Sequence, residues 1–157
     1  MILATVGTQL PFPRLIGALD ALGAGLDEEI IAQIGPDPTP YRNLDIRASL
    51  TPEAFSTLFQ QARVIVAHAG IGTILSAKRF GKPLIVVPRR HALGEHRNDH
   101  QLATAEQIRA LEGIHVAWQT EDLPALLARP DLAPATQAQS PSHSALIARL
   151  SRFIASN

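Results

Sequence analysis

The stretch "RVIVAHAGIGTILSAKRFGKPLIVVP" (residues 63–88) reads as strand, turn, helix and strand in direct succession. "RVIVAH" (63–68) is continuous and apolar, the pattern of a strand covered on both faces of its sheet. Gly70 and Gly72 turn the chain straight into a helical segment that Gly81 ends, and "PLIVVP" (83–88) is a second apolar run.

The same alternation extends outward in both directions. Upstream, "ILATV" (2–6), "EEIIAQI" (28–34) and "LDIRASL" (44–50) are predicted strands. Between the first two, Pro13 suits a first helical turn, and Leu15, Ile16, Leu19 and Leu22 share one face. "GPDPTPYRN" is a loop, since its three prolines within five residues forbid regular structure. Thr51 caps a helix that has Pro52 at its first position. Downstream, a helix lies within "NDHQLATAEQIRALEG" and is closed by Gly113, "IHVAW" (114–118) is the last strand, and "TEDLPALLAR" is a short helix. Pro130, Pro134 and Pro141 make residues 130–142 an extended surface crossing. A closing helix over 143–155 carries Leu146, Ile147, Leu150, Phe153 and Ile154 as one stripe. Six strands alternating with helices predict a doubly wound parallel α/β sheet in a single domain, 1–157, with ligands bound at the carboxyl ends of the strands.

Composition narrows the function. Fourteen basic residues balance fourteen acidic ones, so no global field draws the chain to nucleic acid or anionic lipid. Zero net charge also leaves little colloidal repulsion, which suits a subunit of a complex. The absence of cysteine excludes disulfides and thiol catalysis and fits a cytosolic home. The opening "MILATVGTQL" lacks a basic flank and reads as a strand rather than a signal peptide, and no run of 18 apolar residues is present to span a membrane.

Three loops at the strand ends carry polar chemistry. After the first strand, "VGTQ" places Gly7, Thr8 and Gln9 at a strand-to-helix turn, and no lysine-serine or lysine-threonine pair follows to make a nucleotide triphosphate loop. After the fourth, "HAGIGT" lets a ligand approach the main chain at Gly70 and Gly72, and Thr73 opens a helix whose N–H groups favour an anion. Each turn alone is equally a plain geometric device, but the pair fits a diphosphate better than either does singly. The acidic residue that binds ribose some 20 residues beyond a dinucleotide fingerprint is not evident, which argues against a nicotinamide or flavin dehydrogenase.

The third loop, "RRHALGEHRNDHQ" (89–101), holds His91, His96 and His100, and with His68 these are four of the chain's six histidines. A metal site, a solvated polar loop and a recognition surface for hydroxyls and phosphates are the three readings. The metal is disfavoured by three neighbouring arginines, and the third reading suits the residue types best. His68 ends a buried strand, where backbone satisfaction is an alternative role; His115, His143 and Trp118 read as structural.

The string "HAGIGTILSAKRFGKPLIVVPRR" with "EHRNDHQLATA" resembles the carboxyl-terminal, donor-binding domain of glycosyltransferase family 28, over roughly residues 1–118. The resemblance implies a Rossmann-like half of a GT-B fold. It is nearest to split members of the family, in which a small soluble subunit carries the donor domain and a membrane-anchored subunit supplies the other half. Those members are the eukaryotic enzyme adding the second GlcNAc to dolichol-diphosphate and bacterial exopolysaccharide transferase pairs; "GEHRNDHQLATA" is most like the latter.

By that resemblance, Gly7, Thr8 and Gln9 match the first phosphate-side loop. Gly70, Ile71, Gly72 and Thr73 match the turn and helix start that hold the nucleotide diphosphate. Asp99, His100 and Gln101, with Asn98 adjoining, match the segment facing the donor sugar, and His68 joins the same site. The resemblance implies a UDP-sugar donor of the GlcA, GlcNAc or Gal class, bound as a substrate, with no cofactor and no metal expected. Ser76 stands where many members carry a ribose-binding glutamate. One domain is half of a GT-B enzyme, so the acceptor, a polyprenyl-diphosphate-linked sugar, and the base that deprotonates it are expected on a membrane-anchored partner, unless a homodimer builds both halves. The subunit would then be cytoplasmic, held at the inner face of the membrane, and inactive alone. A non-enzymatic nucleotide-sugar-binding module and a stand-alone UDP-sugar hydrolase or epimerase remain as alternatives.

Overall fold

Strands whose successive residues are all buried must be covered on both faces, and that requirement sets the architecture. The computed structural model describes residues 1–136 together with 145, 148, 149 and 152. β1 (Ile2–Thr5), β2 (Ile30–Gln33), β3 (Asp45–Arg47), β4 (Val64–His68), β5 (Leu84–Val87) and β6 (Ile114–Val116) form one sheet. Every pairing is parallel and the order is β3-β2-β1-β4-β5-β6. This is the doubly wound α/β arrangement expected from the alternation of strands and helices.

Two apolar layers follow from the two faces. Ile2, Ala4, Val64 and Val66 pack against Leu15, Ile16 and Leu19 of α1 (Pro13–Gly23) and against Leu123 and Leu127 of α5 (Leu123–Ala128). Leu3, Ile65 and Ala67, one residue out of step, pack against Phe59 of α2 (Pro52–Gln61), Ile74 and Ala77 of α3 (Ile71–Phe80), and Ala105 and Ile108 of α4 (His100–Ile108). A slip of one residue in any central strand would exchange these sets, so the register is strongly specified.

Local signals act where they were read. The Thr51 hydroxyl accepts the Ala54 N–H at 3.1 Å, with Pro52 as the first residue of α2. α3 stops at Gly81, whose φ of 64° is the left-handed conformation that glycine tolerates. Other boundaries differ. β3 is shorter than the predicted 44–50: the last bonds to its neighbour are Ile34 N–H to Arg47 O at 2.9 Å and Gly35 N–H to Ala48 O at 3.1 Å, and Gly35 itself has φ 65°. α4 ends at Ile108, well before Gly113. Gly113 instead has φ 82°, and a side chain there would collide with the backbone of Pro134 and Ala135.

That collision locates the start of the proline-rich crossing, which runs along the surface with Pro130, Asp131 and Pro134 exposed and Leu132 and Ala135 turned inward. The Ala135 N–H donates to Lys82 O at 3.1 Å, and His115 Nε2 lies 3.2 Å from Ala133 O. Leu132 is buried in the α1 layer and Ala135 in the other, so the segment wraps from one face to the opposite one. Residues 137–142 of the crossing, His143 and the stripe Leu146, Ile147, Leu150, Phe153 and Ile154 lie outside the described residues. Arg149 is described, and its Nη2 donates to Gln107 Oε1 on α4 at 2.6 Å.

The sheet order also places the site. β1 connects to α1 on one face and its neighbour β4 to α3 on the other. Their connections diverge at the carboxyl ends, which opens a crevice between the turn after β1 and the turn after β4.

Candidate functional site at the carboxyl ends of strands 1, 4 and 5

The first wall of the crevice is the turn after β1. Gly7 adopts φ 80°, and its carbonyl accepts Gln33 Nε2–H at 2.8 Å. The same amide also donates to Ala48 O at 3.2 Å, and Gln33 Oε1 accepts the Thr5 hydroxyl at 2.7 Å. One buried glutamine therefore fixes the ends of β1 and β3 together. Thr8, Gln9 and Leu10 continue the turn as exposed residues.

The second wall is the turn after β4, where His68 is central. Its ring lies between the two glycine turns: a methyl group on Gly7 would sit 3.2 Å from His68 Cε1, and one on Gly70 would collide with the ring. Gly70 thus makes room for the protein's own imidazole. Gly72 is different, since nothing lies within 4 Å of where its side chain would be. Burial first, then the nearby charge of Arg89 and, less strongly, His96 together hold the His68 pKa down at about 4, against a backbone hydrogen bond with Thr5 that raises it. The Nδ1 atoms of His68 and His96 are both buried without a hydrogen-bond partner.

The floor and far side come from the segment after β5. Arg89 is 2% exposed, and its guanidinium donates to the carbonyls of Pro11 at 2.6 Å, Leu10 at 2.8 Å and Val6 at 3.0 Å. Gln101, in the first turn of α4, turns its Oε1 onto the N–H groups of Arg89 at 3.0 Å and Ala69 at 3.3 Å. This ties the ends of β4 and β5 at a residue that also lines the cleft. Glu95 holds the loop to α1 through two bonds with Arg14, at 2.8 and 3.0 Å, and accepts the Arg90 N–H at 3.0 Å.

These walls enclose a cleft of about 280 Å³ lined by Val6, Gly7, Thr8, Gln9, Leu10, His68, Arg89, His96 and Gln101. A second hollow of about 600 Å³ opens outward from it, sharing Gln9, Leu10 and His96 and adding Gly94, Glu95 and Arg97.

Of the residues singled out in the sequence, Gly7, Thr8, Gln9, His68 and Gln101 line the inner cleft. Gly70 precedes α3, and Ile71, Gly72 and Thr73 make its first turn, where N–H groups have no helical partner. Asn98, Asp99 and His100 do not line the cleft. Asn98 Oδ1 accepts the His100 N–H at 3.1 Å, and Asp99 Oδ1 accepts the His91 N–H at 2.9 Å, so both side chains shape the loop. His96, one of the clustered histidines read as a recognition surface, also lines the cleft, whereas Val6, Leu10 and Arg89 are cleft residues not singled out individually in the sequence. The signal for Arg89 was its place directly after a buried strand, but two arginines stand there. Among the described residues, no three histidine, cysteine, aspartate or glutamate side chains are grouped to hold a metal ion.

Known proteins place this geometry. The UDP-N-acetylglucosamine transferase subunit ALG13 of Eremothecium gossypii is 30% identical over 129 residues, covering 78% of this chain and 60% of that protein. Its human counterpart is 28% identical over 101 residues, covering 61% of this chain but 8% of that protein. The chain thus spans less than two thirds of either relative. Among solved structures, the NMR structure of ALG13 superposes with a TM-score of 0.62 at 19% identity, over 93% of this chain and 94% of that one. The calicheamicin glycosyltransferase CalG4 superposes with 0.63 at 22% identity, over 99% of this chain and 38% of that one. At these identities the structures establish the shared fold. The model of the glycosyltransferase family 28 C-terminal domain matches residues 1–149, and the chain belongs to that family.

Proposed function

We propose that this chain is the donor-binding part of a split glycosyltransferase, which takes a UDP-sugar and passes the sugar to a polyprenyl-diphosphate-linked acceptor in exopolysaccharide synthesis. The observation that carries the reading is the convergence of two turns and one loop at the switch point of the sheet. The unpaired N–H groups of the α3 start suit a diphosphate, and the Gln101 amide and His96 ring suit sugar hydroxyls. Ser76 is one helical turn beyond Gly72 on α3, and its single hydroxyl offers a ribose diol only a weak bond.

In the reaction the acceptor hydroxyl oxygen bonds to the anomeric carbon while the bond from that carbon to the diphosphate oxygen breaks. UDP leaves with the electron pair. Charge grows on the diphosphate, where the helix start and its dipole stabilise it. The acceptor proton needs a base. The inner cleft has no carboxylate in its lining, and His68, with its pKa pushed down to about 4, is a weak proton acceptor at neutral pH. In this proposal the base comes from a membrane-anchored partner that also presents the acceptor, and the subunit is then peripheral to the inner face of the membrane. No described helix is long and apolar enough to cross a membrane itself.

Reconstitution tests this reading. The purified chain is assayed with UDP-sugars and a polyprenyl-diphosphate-linked sugar, with and without membranes bearing the candidate partner. Transfer that requires both components is expected. Robust transfer by a monomeric chain would overturn the split arrangement, and donor binding without turnover in any combination would favour a non-enzymatic module.

A further inference from the structure

Arg89 is a buried cation with no carboxylate at salt-bridge distance among the described residues. The nearby carboxylate, Glu95, is already engaged by Arg14 and the Arg90 N–H. What surrounds the guanidinium instead is the turn after β1, through the carbonyls of Val6, Leu10 and Pro11 and the face of the Phe12 ring, whose centroid is 4.5 Å away. Carbonyls and a π-face solvate a cation but leave its net charge in place. A charge this deep costs stability unless something of opposite sign completes it. The three carbonyls also come from both flanks of one short turn, so a single planar fork pins residues 6 and 10–11 and leaves Thr8 and Gln9 as an exposed arch over the cleft.

We propose that Arg89 is the positioning residue for the diphosphate end of the cleft: it holds the Thr8–Gln9 arch in its binding shape and supplies a fixed buried charge whose counter-charge is the bound diphosphate. This rests on reading the cleft as a diphosphate site. Arg89 acts through the turn and through its field, and because its guanidinium is committed to protein carbonyls, it discriminates by charge rather than by contact with the nucleoside. Two consequences separate it from a residue that merely supports the fold. Its loss weakens ligands in proportion to their negative charge, and a lysine, which keeps the charge without the fork, restores only part of the effect.

The full chain and its Arg89→Lys and Arg89→Gln variants would be titrated with UDP and inorganic pyrophosphate by calorimetry and with uridine by NMR, and their ligand-free melting compared. Expected for Arg89→Gln is a loss of about tenfold or more for UDP and pyrophosphate with uridine binding changed by less than about twofold, and for Arg89→Lys an intermediate value. Folded variants that bind pyrophosphate like wild type, or that weaken UDP and uridine equally, would overturn the proposal. Arg89-dependent pyrophosphate binding without UDP binding would leave the proposal standing and remove the nucleotide-sugar reading. A wild-type chain that binds neither anion would overturn both. If neither variant folds, the wild-type NMR spectrum decides: pyrophosphate must shift the Arg89 side-chain resonance together with the Thr8 and Gln9 amides, and unmoved resonances sink the idea.

Discussion

The imidazole of His68 occupies the space that a side chain on Gly70 would need. The two residues are consecutive parts of one turn, so the width of the crevice after β4 is set by a ring packed against a bare backbone. Gly70→Ala forces the ring or the strand end to move and is expected to destabilise the protein by about 1–3 kcal/mol in urea denaturation, with loss of donor binding. Gly72→Ala meets open space at the exposed start of α3 and is expected to leave stability unchanged or slightly raised. Equal effects at the two glycines would contradict the geometry.

His68 also makes stability depend on pH. Its folded pKa, about 4, is below the ordinary value of 6.5, so the unfolded chain takes up the proton first as pH falls. The contribution is fully present above about pH 6.5 and is lost as pH drops toward 4, on the order of 3 kcal/mol at its limit. Arg89 and His96 are the charged or titratable groups that act on the ring. Denaturation midpoints of wild type should fall between pH 6.5 and 4 more steeply than those of His68→Gln.

Gln101 belongs to both fold and cleft. Gln101→Ala strands the N–H groups of Ala69 and Arg89 and is expected to cost about 1–3 kcal/mol. Gln101→Glu keeps an acceptor for both, so stability should stay near wild type while binding of a UDP-sugar falls. Isothermal titration beside a melting curve separates the two functions.

Glu95 pins the loop after β5 to α1 through the paired bonds of Arg14. Its side chain is 9% exposed, so Glu95→Ala leaves the Arg14 guanidinium and the Arg90 N–H without their shared partner. A loss of about 1–3 kcal/mol is expected, with faster hydrogen exchange at Arg90. Unchanged exchange there would mean that the loop is held by other contacts.

The alternation of apolar runs with helical segments determined the parallel sheet, because each run is short, local and buried on both faces, as in Val64–Ala67. Thr51, Pro13, Pro52 and Gly81 acted within one turn of themselves, so their roles were legible in the chain order alone. Contacts across the fold decided the rest. Arg89 and Arg90 are adjacent and identical in type, yet one is buried against carbonyls 78 to 83 positions away while the other donates to Trp118 O at 2.6 Å. Gly113 marks the passage of Pro134 and Ala135, and Gly70 yields to a ring fixed by the packing of β1 beside β4. Asn98 and Asp99 spend their oxygens on neighbouring N–H groups, which residue type could not reveal. Hydrophobic periodicity is read over one turn or strand, whereas the partner of a buried polar group depends on which distant segments the sheet order brings together.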